Sequence, residues 1–259
     1  MLPAIFVSHG SPMLALEDAA ARDFLKRLPA VLPERPKAIL MVSAHWERLR
    51  PAVNAPPSNE TIHDFGGFPP ALYQIQYPAP PSAALAKRVA DRLAASGLPT
   101  DIDQRRSLDH GAWAPLMVAW PNADIPAVQL SVQTRLGTAH HYRLGQILAP
   151  LREEGVPIVG SGSFTHDLAS FRTSGGRIDA PEPDWVHAFA EWMAAALRDN
   201  RVEDLLNYRK LAPEAVHNHP TEEHLLPLYV ALDVAPDKVN HLHQSTTYGI
   251  LRMDAFAFG

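Results

Sequence analysis

What most constrains this chain is a set of short apolar runs, each closed by small or polar residues and separated by stretches of helical periodicity. Ala4–Val7, Ala38–Ser43, Ala127–Val132 and Val156–Val159 are rich in β-branched residues and read as buried strands. Leu85–Leu93, Tyr142–Leu151 and Val186–Leu197 space their apolar residues by three and four, which predicts helices with one buried stripe. Strand alternating with helix predicts an α/β fold: a mixed, largely parallel central sheet flanked by helices on both faces, rather than a barrel. Gly249–Phe258 alternates in part and is expected to add an antiparallel edge strand.

No Gly/Ser tract, charge block or low-complexity run divides the 259 residues, so one domain spanning 1–259 is expected. There is no cysteine, which excludes disulfides, thiolate ligands and thiol nucleophiles together. Any metal must therefore be held by nitrogen and oxygen. Net charge is -5 and the basic residues are scattered, so nothing recruits nucleic acid. Neither a signal peptide nor a membrane-length apolar run is evident, and a cytoplasmic protein is expected. The 25 prolines fall mainly between periodic segments and predict many ordered loops. No heptad or patch identifies an oligomeric interface.

In open α/β sheets, ligands sit beyond the carboxyl ends of the strands. Those positions carry histidines here. Ser8-His9-Gly10-Ser11-Pro12 follows the first strand, Ser43-Ala44-His45-Trp46 the second, and Gly160-Ser161-Gly162-Ser163-Phe164-Thr165-His166-Asp167 the fourth. One such imidazole is ordinarily a loop residue bonded to backbone. Three on one rim point to a metal, because imidazole is the commonest protein metal ligand when thiolates are absent.

His224, in Asn218-His219-Pro220-Thr221-Glu222-Glu223-His224, is a fourth candidate, expected in the first turn of a helix opening at Pro220. His217 and His219 read as loop residues. His110, in Leu108-Asp109-His110-Gly111-Ala112-Trp113, either handles a proton near the site or caps a helix. The loop Thr61–Pro69, with its glycines and phenylalanines, reads as a substrate lid, or else as plain packing of two rings. Thr173–Pro183 is expected to add pocket wall. His140, His141, His187, His241 and His243 receive no role.

The strings His-Gly-Ser-Pro, Ser-Ala-His-Trp, His-Asp-Phe-Gly-Gly-Phe-Pro, Asp-His-Gly-Ala-Trp and Pro-Thr-Glu-Glu-His-Leu-Leu-Pro-Leu occur in that order from His9 to Leu228. Together they resemble the class III (LigB-like) extradiol ring-cleavage dioxygenases, most closely the 4,5-DOPA dioxygenase extradiol branch. The resemblance implies an α/β core, O2-dependent opening of a catechol ring and one divalent metal. It implies His9 and His45 as ligands and His224 in the third ligand position, where better-known members carry a glutamate. It implies His166 as acid/base, alternatively a fourth ligand when substrate is absent, and His110 as a second helper.

Fe(II) is the metal implied for turnover, with Zn(II) suited to the same imidazoles in isolated protein. Two rival expectations are a zinc-dependent hydrolase on a similar core and a non-enzymatic metal- or partner-binding module. Retention of both helper histidines favours the enzyme.

Overall fold

The computed structural model describes residues 1–173, 176–232 and 239–259, with the side chains of Arg172 and Thr173 excepted. Its strands are β1 (Ala4–Ser8), β2 (Ile39–Glu47), β3 (Ala52–Asn54), β4 (Asp101–Asp103), β5 (Ala127–Val132), β6 (Ile158–Gly162), β7 (Val239–His243), β8 (Thr246–Thr247), β9 (Leu251–Arg252) and β10 (Ala255–Phe258). Eight of them form one sheet in the order β4-β3-β5-β2-β6-β1-β10-β7, and β8 pairs with β9. The centre, β5-β2-β6-β1, is parallel throughout. All four of these strands therefore end on one rim.

The helices are α1 (Ala20–Arg27), α2 (Ala83–Ala95), α3 (His110–Ala119), α4 (Gly137–Leu148), α5 (Leu168–Thr173), α6 (Asp184–Arg198), three short turns α7 (Val202–Leu206), α8 (Tyr208–Leu211) and α9 (Ala215–Asn218), and α10 (Leu226–Ala231). Side chains alternate across each strand, so the sheet feeds two cores. Phe6, Leu40, Val42, Leu130 and Ile158 pack with α2, α4, α6 and α10. Ile5, Val7, Met41 and Val159 pack with α1 and α3. Each large side chain buried in this way contributes about 1.5–3 kcal/mol, which makes the central strands a stiff base for the rim.

The expected α/β class is therefore the observed one, with local corrections. The C-terminal strand is not an edge. β10 lies between β1 and β7, antiparallel to both, and all four of its residues are buried. The polar-rich β7 takes the edge instead, a position that suits a strand exposed along one side. The fourth helix begins at Gly137, five residues before the expected Tyr142, and closes in a 3-10 turn over Ala149–Arg152. No helix among the described residues is long and apolar enough to cross a membrane.

Candidate metal centre and active site

Three strands, one helix start and one turn bring five histidines together on the rim. His9 follows β1, and its backbone N–H donates to Gly162 O on the neighbouring β6 at 2.9 Å. His45 lies within β2 rather than after it, because that strand runs on to Glu47 across a shift in register against β5. His110 is the first residue of α3, and Asp109 caps that helix by accepting from Ala112 N–H. Asp109 is fully buried and also takes Ser43 Oγ at 2.6 Å, Arg106 at 2.6 Å and the Gln129 amide. This network locks α3 onto β2 and β5.

His224 does not open a helix at Pro220. It sits in a turn two residues before α10, which starts at Leu226 with Pro227 as its second residue. Pro227 has no N–H to lose there and its fixed φ suits a first turn. The turn lies directly on the sheet because β6 carries glycine where it passes. A Cβ on Gly162 would overlap the His224 carbonyl, and one on Gly160 would overlap that of Pro227. Gly111 plays the same part under α3: a Cβ there would overlap Ser43 Oγ and press on His45 Cδ2 at 3.0 Å.

The ring nitrogens are ordered in one sense. His9 Nδ1 is 3.0 Å from Ser161 Oγ, and Ser161 Oγ donates its own proton to Gly111 O. That carbonyl is available because the residue four places on, Pro115, has no N–H to close the helical bond. Ser161 must then accept from His9 Nδ1–H. His224 Nδ1 faces Glu223 Oε1 at 2.9 Å, and His110 Nδ1 faces Asp64 Oδ1 at 2.9 Å. His45 Nδ1 lies 3.5 Å from Asp64 Oδ2.

With each Nδ1 turned to an oxygen, the Nε2 lone pairs point inward. His9 Nε2 is 3.0 Å from His45 Nε2, which is 3.3 Å from His224 Nε2. Nitrogens bound about 2.1 Å from a common metal stand roughly 3–3.4 Å apart, and both of these separations suit a shared small cation. Histidine ligands that hand their second N–H to a carboxylate or similar acceptor are the usual support of such a centre.

Ligating nitrogens of His9, His45 and His110 lie within 4.8 Å of one another, as do a ring nitrogen each of His166 and His224 and a carboxylate oxygen of Glu223. Burial holds His9 and His224 neutral, lowering both well below the ordinary imidazole value, and their neighbouring rings add to it. Burial, followed by repulsion from His110, brings His45 to about 3 against the pull of Asp64.

His166 anchors its N–H to Asn218 O at 2.8 Å and stacks on His224, with centroids 3.5 Å apart and planes at 13°. Burial lowers it to about 4, against the opposing pull of Glu223 and Asp167. A cavity of about 210 Å3 opens over His45, His110, His166 and His224, walled by Phe65, Phe68, Leu168, Phe171 and Leu251. The expected loop Thr61–Pro69 thus supplies part of the wall. Of the expected wall Thr173–Pro183, residues 174–175 and the Thr173 side chain lie outside the described set and residues 176–183 do not line the cavity; Leu168 and Phe171 of α5 supply that wall instead. Two roomier hollows, of about 400 and 660 Å3, are lined by no histidine.

The other histidines are elsewhere engaged. His219 is buried and donates Nε2–H to Phe164 O at 3.0 Å. His217 stacks on Trp185, and His63 bonds Ile75 O. Sequence reading missed Asp64, Ser161 and the orienting part of Glu223. The first was visible only as the residue after His63 in a loop, and a lone carboxylate gives no sign of which ring it will meet.

The chain matches the family described as the catalytic LigB subunit of aromatic ring-opening dioxygenase over residues 3–256. It is 45% identical over 258 residues to a 4,5-DOPA dioxygenase extradiol of Beta vulgaris, covering 98% of this chain and 95% of that one. It is 43% identical over 235 residues to the 4,5-DOPA dioxygenase extradiol of Escherichia coli K12, covering 89% and 84%. An uncharacterized protein from Escherichia coli K12 superposes over the whole of both chains with a TM-score of 0.79 at 32% identity. A match that spans both the sheet and every histidine of the rim makes this chain a member of the LigB family, an extradiol aromatic ring-opening dioxygenase.

Proposed function

We propose that the chain, as a single catalytic domain, opens the ring of a DOPA-like catechol with O2, using one divalent metal held by His9, His45 and His224. The observation that carries this reading is the close approach of the His9 and His224 Nε2 atoms to that of His45, with the Nδ1 atoms of the three rings facing Ser161, Glu223 and Asp64. Three neutral imidazoles would leave both charges of the cation uncompensated. Asp64 and Glu223, one bond further out, offset that charge without entering the donor set. Fe(II) supplies electron transfer between a chelated catechol and O2, whereas Zn(II) binds the same donors without redox chemistry.

The protein's own groups do the rest. Phe65, Phe68 and Phe171 hold the ring and exclude water from it. His166, uncharged at neutral pH because of its burial, accepts a proton from a catechol hydroxyl and later returns one to the opened product. His110, its Nδ1–H committed to Asp64, presents Nε2 to the cavity beside the reacting atoms. The grouping of His9, His45 and His110 nitrogens supports a second reading in which His110 replaces His224 as third ligand.

Metal content and an aerobic catechol panel on Fe(II)-restored protein test both. His166→Ala is expected to keep its metal and lose roughly 10²–10⁴-fold in turnover, His224→Ala to lose the metal, and His110→Ala to keep it. Loss of metal from His110→Ala alone would favour the second reading. Turnover that persists without O2 would sink ring cleavage and favour the zinc hydrolase.

A further inference from the structure

Asp64 belongs to the loop that walls the cavity, yet both of its carboxylate oxygens face the histidine cluster. Oδ1 accepts from the His110 backbone N–H at 3.0 Å and from His110 Nδ1–H at 2.9 Å. Oδ2 stands 3.5 Å from His45 Nδ1, close enough to orient that ring by charge. The next residue, Phe65, sets its ring edge-on to His110 with centroids 5.5 Å apart. Two residues before Asp64, the Ile62 carbonyl accepts Trp113 Nε1–H of α3 at 2.9 Å. This one segment grips α3, faces substrate space and reaches two rings of the rim.

We propose, resting on the metal reading above, that Asp64 is a positioning residue that couples the substrate-facing loop to the metal centre. It holds the Nδ1 protons of His45 and His110 outward, so the Nε2 atoms of both face the centre. The seat of Phe65 against the cavity and the retention of metal then depend on one carboxylate. An asparagine could still accept from His110 through its carbonyl oxygen, but its NH2 would oppose the Nδ1–H of His45 and favour the other tautomer.

The test is a Co(II) titration followed by absorption, with Zn(II) competition, on wild-type, Asp64→Asn and Phe65→Leu proteins checked for folding by circular dichroism. Asp64→Asn is expected to weaken Co(II) binding roughly ten- to hundredfold and to alter the Co(II) ligand-field bands. Phe65→Leu, which leaves the carboxylate in place, is expected to bind Co(II) as wild-type does. An Asp64→Asn protein with wild-type affinity and bands would overturn the proposal.

Should that variant fail to fold, wild-type protein still decides the matter. Zn(II) is expected to slow amide hydrogen exchange at His110, whose N–H Asp64 accepts, and in residues 62–65; no slowing there overturns the coupling. A wild-type chain that takes up neither ion removes the metal reading itself, a result distinct from uptake that Asp64 does not influence.

Discussion

Two polar clusters of this molecule are built on opposite principles. Around Arg252, the guanidinium meets Asp254 at 2.7 and 3.0 Å and Glu182 at 3.1 Å, and Asp254 also accepts from His241 at 2.8 Å. Positive and negative groups close on one another there. On the rim, imidazoles turn like-natured lone pairs toward a common point, and their carboxylates stand behind them. A cluster that satisfies itself holds the fold together, whereas one that converges its donors is prepared for something added. Counting buried polar residues would not separate the two; the direction of each donor and acceptor does.

Breaking each cluster should therefore show up in different measurements. Arg252→Met leaves the buried Asp254 and the half-buried Glu182 without their cation, and is expected to cost about 3–5 kcal/mol in urea unfolding with the metal stoichiometry of the folded protein unchanged. An unaltered midpoint would put the rim and this cluster in the same class. His45→Ala should do the reverse. Metal-free stability is expected to hold, while metal uptake is lost; Zn(II) at about a hundred times its dissociation constant raises wild-type stability by about 2.7 kcal/mol and this variant's not at all. Differential scanning fluorimetry with and without Zn(II) reads both.

The effect that is smallest near neutral pH concerns His141 and His219, buried imidazoles bonded to backbone rather than aimed at a cavity. His141 Nδ1 faces Gly137 O and its Nε2 accepts Gln133 N–H, and burial lowers both rings to about 3. The unfolded chain then binds protons that the folded chain refuses between about pH 6.5 and 3, so stability falls as pH falls through that window. Each ring contributes at most about 1.4 kcal/mol per pH unit. Replacing His141 by Gln should flatten the acid limb of metal-free unfolding; an unchanged limb would mean the ring protonates without cost.

Reading order in the sequence explains what was legible. His9 stands directly after a run of buried β-branched residues, and both the strand and the rim position follow from that local pattern. His45 sits in the part of β2 beyond Val42, whose pairing with β5 depends on a register shift that no local pattern encodes. His224 was expected to open a helix because Pro220 and two glutamates imitate one; the actual start, at Leu226, is set by how the turn lies on Gly160 and Gly162. Asp64 and Ser161 escaped altogether. Their parts are defined by partners 46 and 152 residues away, a separation at which only the folded sheet can introduce them.

Pro115 gives this a further turn. A proline in a buried helix is ordinarily a defect, since one carbonyl loses its partner. Here the orphaned acceptor imposes a direction: hydrogen-bond donation runs from His9 through Ser161 to Gly111 and cannot easily reverse. The state of a side chain at the end of β1 is thus written into the backbone of a helix on one face of the sheet. A residue with an N–H at position 115 would share the Gly111 carbonyl with Ser161 and loosen the direction imposed on His9.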